Sequence, residues 1–76
     1  MAAAHPDKAA LGRAVRSLRV ERDWSQERLA DNSGLHWTYV GGIERGERNP
    51  SWENVVRLAR GLGVSVAELA DRAQNS

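Results

Sequence analysis

Ser25 to Pro50 reads SQERLADNSGLHWTYVGGIERGERNP, and its punctuation sets the architecture. Ser25 is a hydroxyl N-cap, so a helix starts at Gln26 and runs to about Asn32. Glu27 lies in its first turn, where the helix dipole favours an acid. The capping box is incomplete, because Arg28 rather than Glu stands at the third helical position. Gly34 then supplies the left-handed backbone that closes a helix without a Cβ penalty. A second short helix spans roughly Trp37 to Arg45, and Gly46 ends it in the same way. Leu29 and Ala30 on the first helix, with Val40 and Ile43 on the second, mark the faces that meet. Leu35 is expected to fill the core beneath the turn. His36 takes the N-cap of the second helix, where Ser, Thr or Asp is usual.

The flanks extend this pattern. Upstream, Asp7 can cap a helix that runs to about Arg22, with Leu11, Ala14, Val15 and Leu18 as its apolar stripe and Arg13, Arg16 and Glu21 on the wet side. Trp24 follows in the link and reads as a plug between helices. Downstream, residues 46–50 form a polar loop. Ser51 caps a fourth helix with Trp52 and Glu53 in its first turn and Val55, Leu58, Ala59 and Leu62 on its inner face, and Gly61 and Gly63 mark its end. Ser65 and Glu68 make a full capping box that opens a fifth helix containing Leu69. There is no repeat and no strand pattern. The fold class is all-α, five short helices in one bundle. Residues 7–73 form a single domain, preceded by a disordered extension at 1–6 and followed by a polar tail at 74–76.

Seventy-six residues suffice for one domain with a small core. The chain has no cysteine, which excludes a disulfide staple and a thiolate metal site and fits a reducing, cytoplasmic setting. No apolar run approaches bilayer length, and the start lacks a secretory pattern, so no membrane association is expected. Eleven basic residues against ten acidic ones give a net charge of +1, a weak statement about partners. Lys8 is the only lysine among the eleven, a bias that suits bidentate phosphate or guanine recognition but for most of the arginines is better explained by a GC-rich genome. His5 and His36 are the only histidines. No spacing suggests a metal site or an activated nucleophile, so the chain is not expected to be an enzyme or to hold a cofactor or small-molecule ligand.

The Gln26, Leu29 and Ala30 cluster, Gly34, and the run Ile43-Glu44-Arg45-Gly46 followed by Asn49-Pro50-Ser51 resemble the Cro and phage-repressor type of helix-turn-helix, the XRE family. The resemblance spans about Leu11 to Leu69. Within that family the one-domain layout and the TYVGGIERGERNP run are most similar to the controller proteins of restriction–modification systems. The resemblance implies a lambda-repressor-like DNA-binding domain. It implies a regulator of transcription that binds an inverted-repeat operator on double-stranded DNA as a homodimer, with residues of about 37–45 in the major groove.

Candidate contacts follow residue by residue. Gln26 and the free N–H groups around it suit a phosphate oxygen, and the resemblance implies the same. With Val40 and Ile43 inward, Trp37, Thr38, Gly41, Gly42 and Arg45 are expected to face outward, with Tyr39 at a flank. Thr38 can donate or accept at a base edge or touch a thymine methyl. Trp37 reads equally as a contact or as a lid on the core, and Tyr39 can give its hydroxyl to phosphate or base. His36 at the cap is either a weakened helix start or a specific contact. Two glycines inside so short a helix cost about 1 kcal/mol each, which suggests close approach to DNA or tight helix packing. Arg48 and Asn49 read as backbone clamps, Arg45 as clamp or solvated charge beside Glu47, and Arg28 as a further phosphate partner. The resemblance also implies that Arg19 pairs with Glu44 to brace the second helix. The dimer surface is expected on the last two helices, through Leu62, Val64, Val66 and Leu69. Two other readings remain: an antitoxin or accessory subunit whose main partner is another protein, and an interaction module that kept the fold and lost DNA binding.

Overall fold

The computed structural model describes residues 7–75. The expected disordered extension, residues 1–6, lies outside them. Five helices follow in order: α1 (Lys8–Glu21), α2 (Gln26–Ser33), α3 (Trp37–Glu44), α4 (Trp52–Leu62) and α5 (Val66–Gln74), with no strand among the described residues. Each helix begins on a side-chain cap. Asp7 accepts from the Ala10 N–H at 2.8 Å, and Ser25, Ser51 and Ser65 do the same for α2, α4 and α5. Ser65 and Glu68 form the reciprocal capping box, at 2.8 and 3.0 Å.

The joint between α2 and α3 positions the rest. Gly34 sits at φ +68°, and the next N–H, of Leu35, reaches back to the Ala30 carbonyl at 3.0 Å. This closure satisfies carbonyls that the end of α2 would leave bare and turns the chain sharply into α3. Around the joint, Ala14, Val15 and Leu18 of α1 pack with Leu29, Ala30, Val40, Ile43, Leu58, Ala59, Leu62, Leu69 and Ala73 in one core. Trp24 packs on its edge, flanked by the guanidinium groups of Arg22 at 6.0 Å and Arg28 at 5.1 Å.

Several expected boundaries move. Arg22 and Arg45 are C-caps rather than the last turns of α1 and α3. Gly61 lies inside α4, where its bare Cα accommodates Ser33 of α2, so it marks a helix contact and not the helix end. The end falls at Gly63. Helix α5 continues through Gln74, one residue into the expected tail. The expected dimer surface also needs correction. Leu62 and Leu69 are each 1% exposed. The core of this single chain consumes both, and neither has apolar area left for a second copy. Val64 and Val66 are half-buried against the same core.

Candidate nucleic-acid interface

Glu44, the last residue of α3, organises the site. Its side chain is only 2% exposed, and a buried carboxylate needs donors. Arg19 of α1 supplies two, from Nε at 2.7 Å and Nη2 at 3.0 Å, in the forked geometry that a guanidinium makes with a carboxylate. Gln26, the first residue of α2, supplies a third from Nε2 at 3.0 Å. The remaining Arg19 nitrogen, Nη1, donates to the Trp24 carbonyl at 2.7 Å. The hydrogen bond to Glu44 raises the Arg19 pKa despite burial, so its charge is secure. One carboxylate thus ties α1, α2 and α3 together and fixes the angle of α3.

Helix α3 is buried over its last five residues, Val40 to Glu44, and open over its first turn. Thr38 is exposed and Trp37 is 49% exposed. Trp37 stands outside the core cluster, so the reading of it as a lid fails. Its ring instead stacks on His36, with centroids 6.1 Å apart and planes 24° apart. His36 does cap α3: its Nδ1 accepts the Thr38 N–H at 3.2 Å and lies 2.7 Å from Thr38 Oγ1. Tyr39 is half-buried, and its hydroxyl oxygen accepts from Asn54 Nδ2 of α4 at 3.0 Å, leaving its own proton to give.

The paired glycines do not face outward bare. A Cβ at Gly41 would stand 3.1 Å from Arg45 Nη1 and 3.2 Å from Gln26 Oε1. At Gly42 it would stand 2.8 Å from Arg48 Cγ. Both positions are buried beneath long polar side chains, Arg45 and Gln26 over Gly41 and Arg48 over Gly42. Expected outward exposure and direct contact at Gly42 are therefore corrected. The glycines form a shallow trough in which Gln26, Arg45 and Arg48 lie along the helix, and those side chains are what the outer surface presents. Arg48 reaches the Tyr39 ring, its guanidinium carbon 5.9 Å from the centroid.

The remaining candidates divide. Arg45 is exposed and pairs with Glu47 at 3.1 Å, which holds the Glu47 carboxyl below its ordinary range. Asn49 is exposed on the loop after α3. Arg28 is exposed, with its guanidinium over the Trp24 ring. Two supporting residues escaped the sequence reading. Gly12 of α1 abuts the α3 backbone, and a glycine interrupting an apolar helical stripe was its available signal. Asn54, which holds Tyr39, carried none.

Two short helices closed around a tight turn, the second with its first turn bare, define a helix-turn-helix protein. Residues 10–71 match the family described as helix-turn-helix domain, and the chain belongs to that family. It is 46% identical over 65 residues to control protein C.SmaI of Serratia marcescens, covering 86% of this chain and 77% of that protein. Identity to control protein C.BamHI of Bacillus amyloliquefaciens is 43% over 61 residues, covering 79% and 75%. Among solved structures, the restriction-modification controller protein C.AhdI from Aeromonas hydrophila superposes with a TM-score of 0.79 at 45% identity, covering 82% of this chain and 94% of that one. The family is one of XRE-like helix-turn-helix transcriptional regulators, not of enzymes. Among the described residues no helix is long and apolar enough to cross a membrane.

Proposed function

We propose that this chain is a sequence-specific DNA-binding regulator of transcription that docks the first turn of α3 in the major groove and binds an inverted-repeat operator as a homodimer. The observation that carries this reading is the contrast within α3. Its last five residues are locked to the scaffold through Glu44, while the exposed side chains of His36, Trp37 and Thr38 stand outside the core and touch one another. A base-reading element needs that combination of fixed backbone and exposed side chains. Gln26, Arg45, Arg48 and Asn49 around it supply donors for phosphate oxygens, which set register without choosing sequence. Arg28 is a further phosphate partner.

One such module buries limited surface. Two modules on half-sites about one DNA turn apart reach useful affinity, which supports the homodimer and the symmetric operator. The relatives named above as control proteins support the regulatory role. Such a protein acts on DNA in the bacterial cytoplasm.

Selection of bound sequences from random DNA tests the reading. Enrichment of a symmetric site supports it, and the absence of any enrichment at low salt defeats it. A sedimentation measurement that finds only monomer at micromolar concentration and on operator DNA would remove the dimer.

A further inference from the structure

We infer that His36 sets the hydrogen-bond polarity of Thr38, so that Thr38 meets DNA as an acceptor only and reads an exocyclic amino group, adenine N6 or cytosine N4. The inference rests on the proposal that the first turn of α3 reads bases.

Three polar atoms carry the argument. The backbone N–H of Thr38 can only donate, and it points at His36 Nδ1 from 3.2 Å. That nitrogen therefore holds its lone pair, and the proton of the neutral ring is on Nε2. The hydroxyl of Thr38 lies 2.7 Å from the same Nδ1. Between a bare ring nitrogen and a hydroxyl at this distance, the bridging proton comes from the hydroxyl. Its one proton is then committed within the protein, and what Oγ1 offers outward is lone pairs.

The major groove makes this consequential. Guanine shows N7 and O6 and thymine shows O4, all acceptors, whereas adenine N6 and cytosine N4 donate. An acceptor-only hydroxyl gains a bond from either amino group and opposes lone pairs against guanine O6 or thymine O4. A free threonine hydroxyl would rotate to suit each of them. The stack of Trp37 on the imidazole restrains the ring and keeps Nδ1 aimed at Thr38. A serine at position 36 would still cap α3, yet it would release the Thr38 hydroxyl.

The test uses the full chain and the operator obtained by selection. The base pair whose preference changes in Thr38→Val is identified first. At that pair, purine replaces adenine, or pyrimidin-2-one replaces cytosine, to remove the amino group. A second duplex carries 7-deazaadenine in place of adenine, or 7-deazaguanine opposite cytosine, which removes the N7 acceptor and keeps the amino group. Wild type is expected to lose about fivefold in affinity without the amino group and less than about twofold without N7. Thr38→Ser should behave as wild type, and Thr38→Val should ignore both changes. His36→Ser should lower the amino-group penalty, read as the ratio of its affinities for the unmodified and the amino-lacking operator, to less than about twofold whatever its absolute affinity. The inference is overturned if wild type is penalised for loss of N7 instead, if His36→Ser retains the full penalty, or if Thr38→Val changes no base preference. Failure of the parent reading has a separate signature, since wild type would then enrich no sequence at all.

Discussion

Gly12 of α1 lies against the Ile43 carbonyl of α3 with no room for a side chain between them. A Cβ at this position would also fall 2.8 Å from the Glu44 carbonyl oxygen. Both obstacles are backbone, and neither can swing aside. Helix propensity alone predicts that Gly12→Ala stabilises by about 1 kcal/mol. Overpacking predicts the opposite, a loss of about 1–3 kcal/mol or more as α1 and α3 are forced apart. We expect the loss, measured by urea unfolding, together with weaker DNA binding because Glu44 moves with the displaced helix.

The three-donor arrangement around Glu44 makes a second prediction. Glu44→Ala strands the Arg19 guanidinium and costs roughly 3–5 kcal/mol. Arg19→Met combined with Glu44→Leu removes both charges and should recover much of that loss, since a well-packed apolar pair can replace a buried ion pair. Gln26 has no partner in the double variant. DNA affinity should therefore stay low even where stability returns, and measuring both properties on the same proteins separates bracing of the fold from placement of Gln26.

Gly41→Ala and Gly42→Ala should differ. At Gly41 the nearest atoms are the ends of Arg45 and Gln26, which yield by a few tenths of an ångström. The helix-propensity gain of up to about 1 kcal/mol should then prevail, and thermal unfolding should shift upward. At Gly42 the nearest atom is Arg48 Cγ, and a methyl there lifts the whole side chain off α3 and away from the Tyr39 ring. We expect little net change in stability for Gly42→Ala and a several-fold loss of affinity that resembles the effect of truncating Arg48.

The helices were legible because caps and apolar spacing are local. Ser25, Ser51, Ser65 and Asp7 each sit where a helix starts, and Gly34 sits where α2 turns into α3. Within the site, the exposure of Thr38 and the capping position of His36 were legible from their own helix, and the Arg19–Glu44 pair across two helices from the family resemblance. Gly41 and Gly42 were misread because their outer face is covered by Gln26, Arg45 and Arg48, which the helical period cannot report. Leu62 and Leu69 were assigned to a partner surface because the size of the core was underestimated: both belong to the one buried cluster of this chain. Asn54 reaches Tyr39 from a different helix, and no spacing rule links the two.

Acid should loosen the contact between α1 and α5. Arg72 donates to Glu21 at 2.7 Å, and this bond, aided by the Arg72 charge, the Ser17 hydroxyl and the Arg22 charge, holds the Glu21 carboxyl below its ordinary value. A carboxyl depressed in the folded state contributes stability above its unfolded value, about 4.5, and loses that contribution as pH falls through the folded value. Glu21→Gln should be less stable than wild type at pH 7, and the two curves should converge below pH about 4.5. Since the pair is exposed, the gap should also narrow with added salt. Parallel curves across the acid range would show that the pair contributes nothing.

Thr38→Ala and Arg48→Ala should separate reading from gripping. Thr38 is exposed on the first turn of α3 with its hydroxyl 2.7 Å from His36 Nδ1, while Arg48 lies along α3 with an exposed guanidinium beside Tyr39. Loss of Thr38 should change which bases are preferred at one position per half-site and leave the salt dependence of binding as it was. Loss of Arg48 should weaken binding to all sites alike and reduce the slope of log affinity against log salt by about 1 for each protomer, because one phosphate contact and its released counterion disappear. If Arg48→Ala instead altered base preference at unchanged slope, the arginine held over Gly42 would be a reader of bases, and the division between the first turn and the surrounding cations would have to be redrawn.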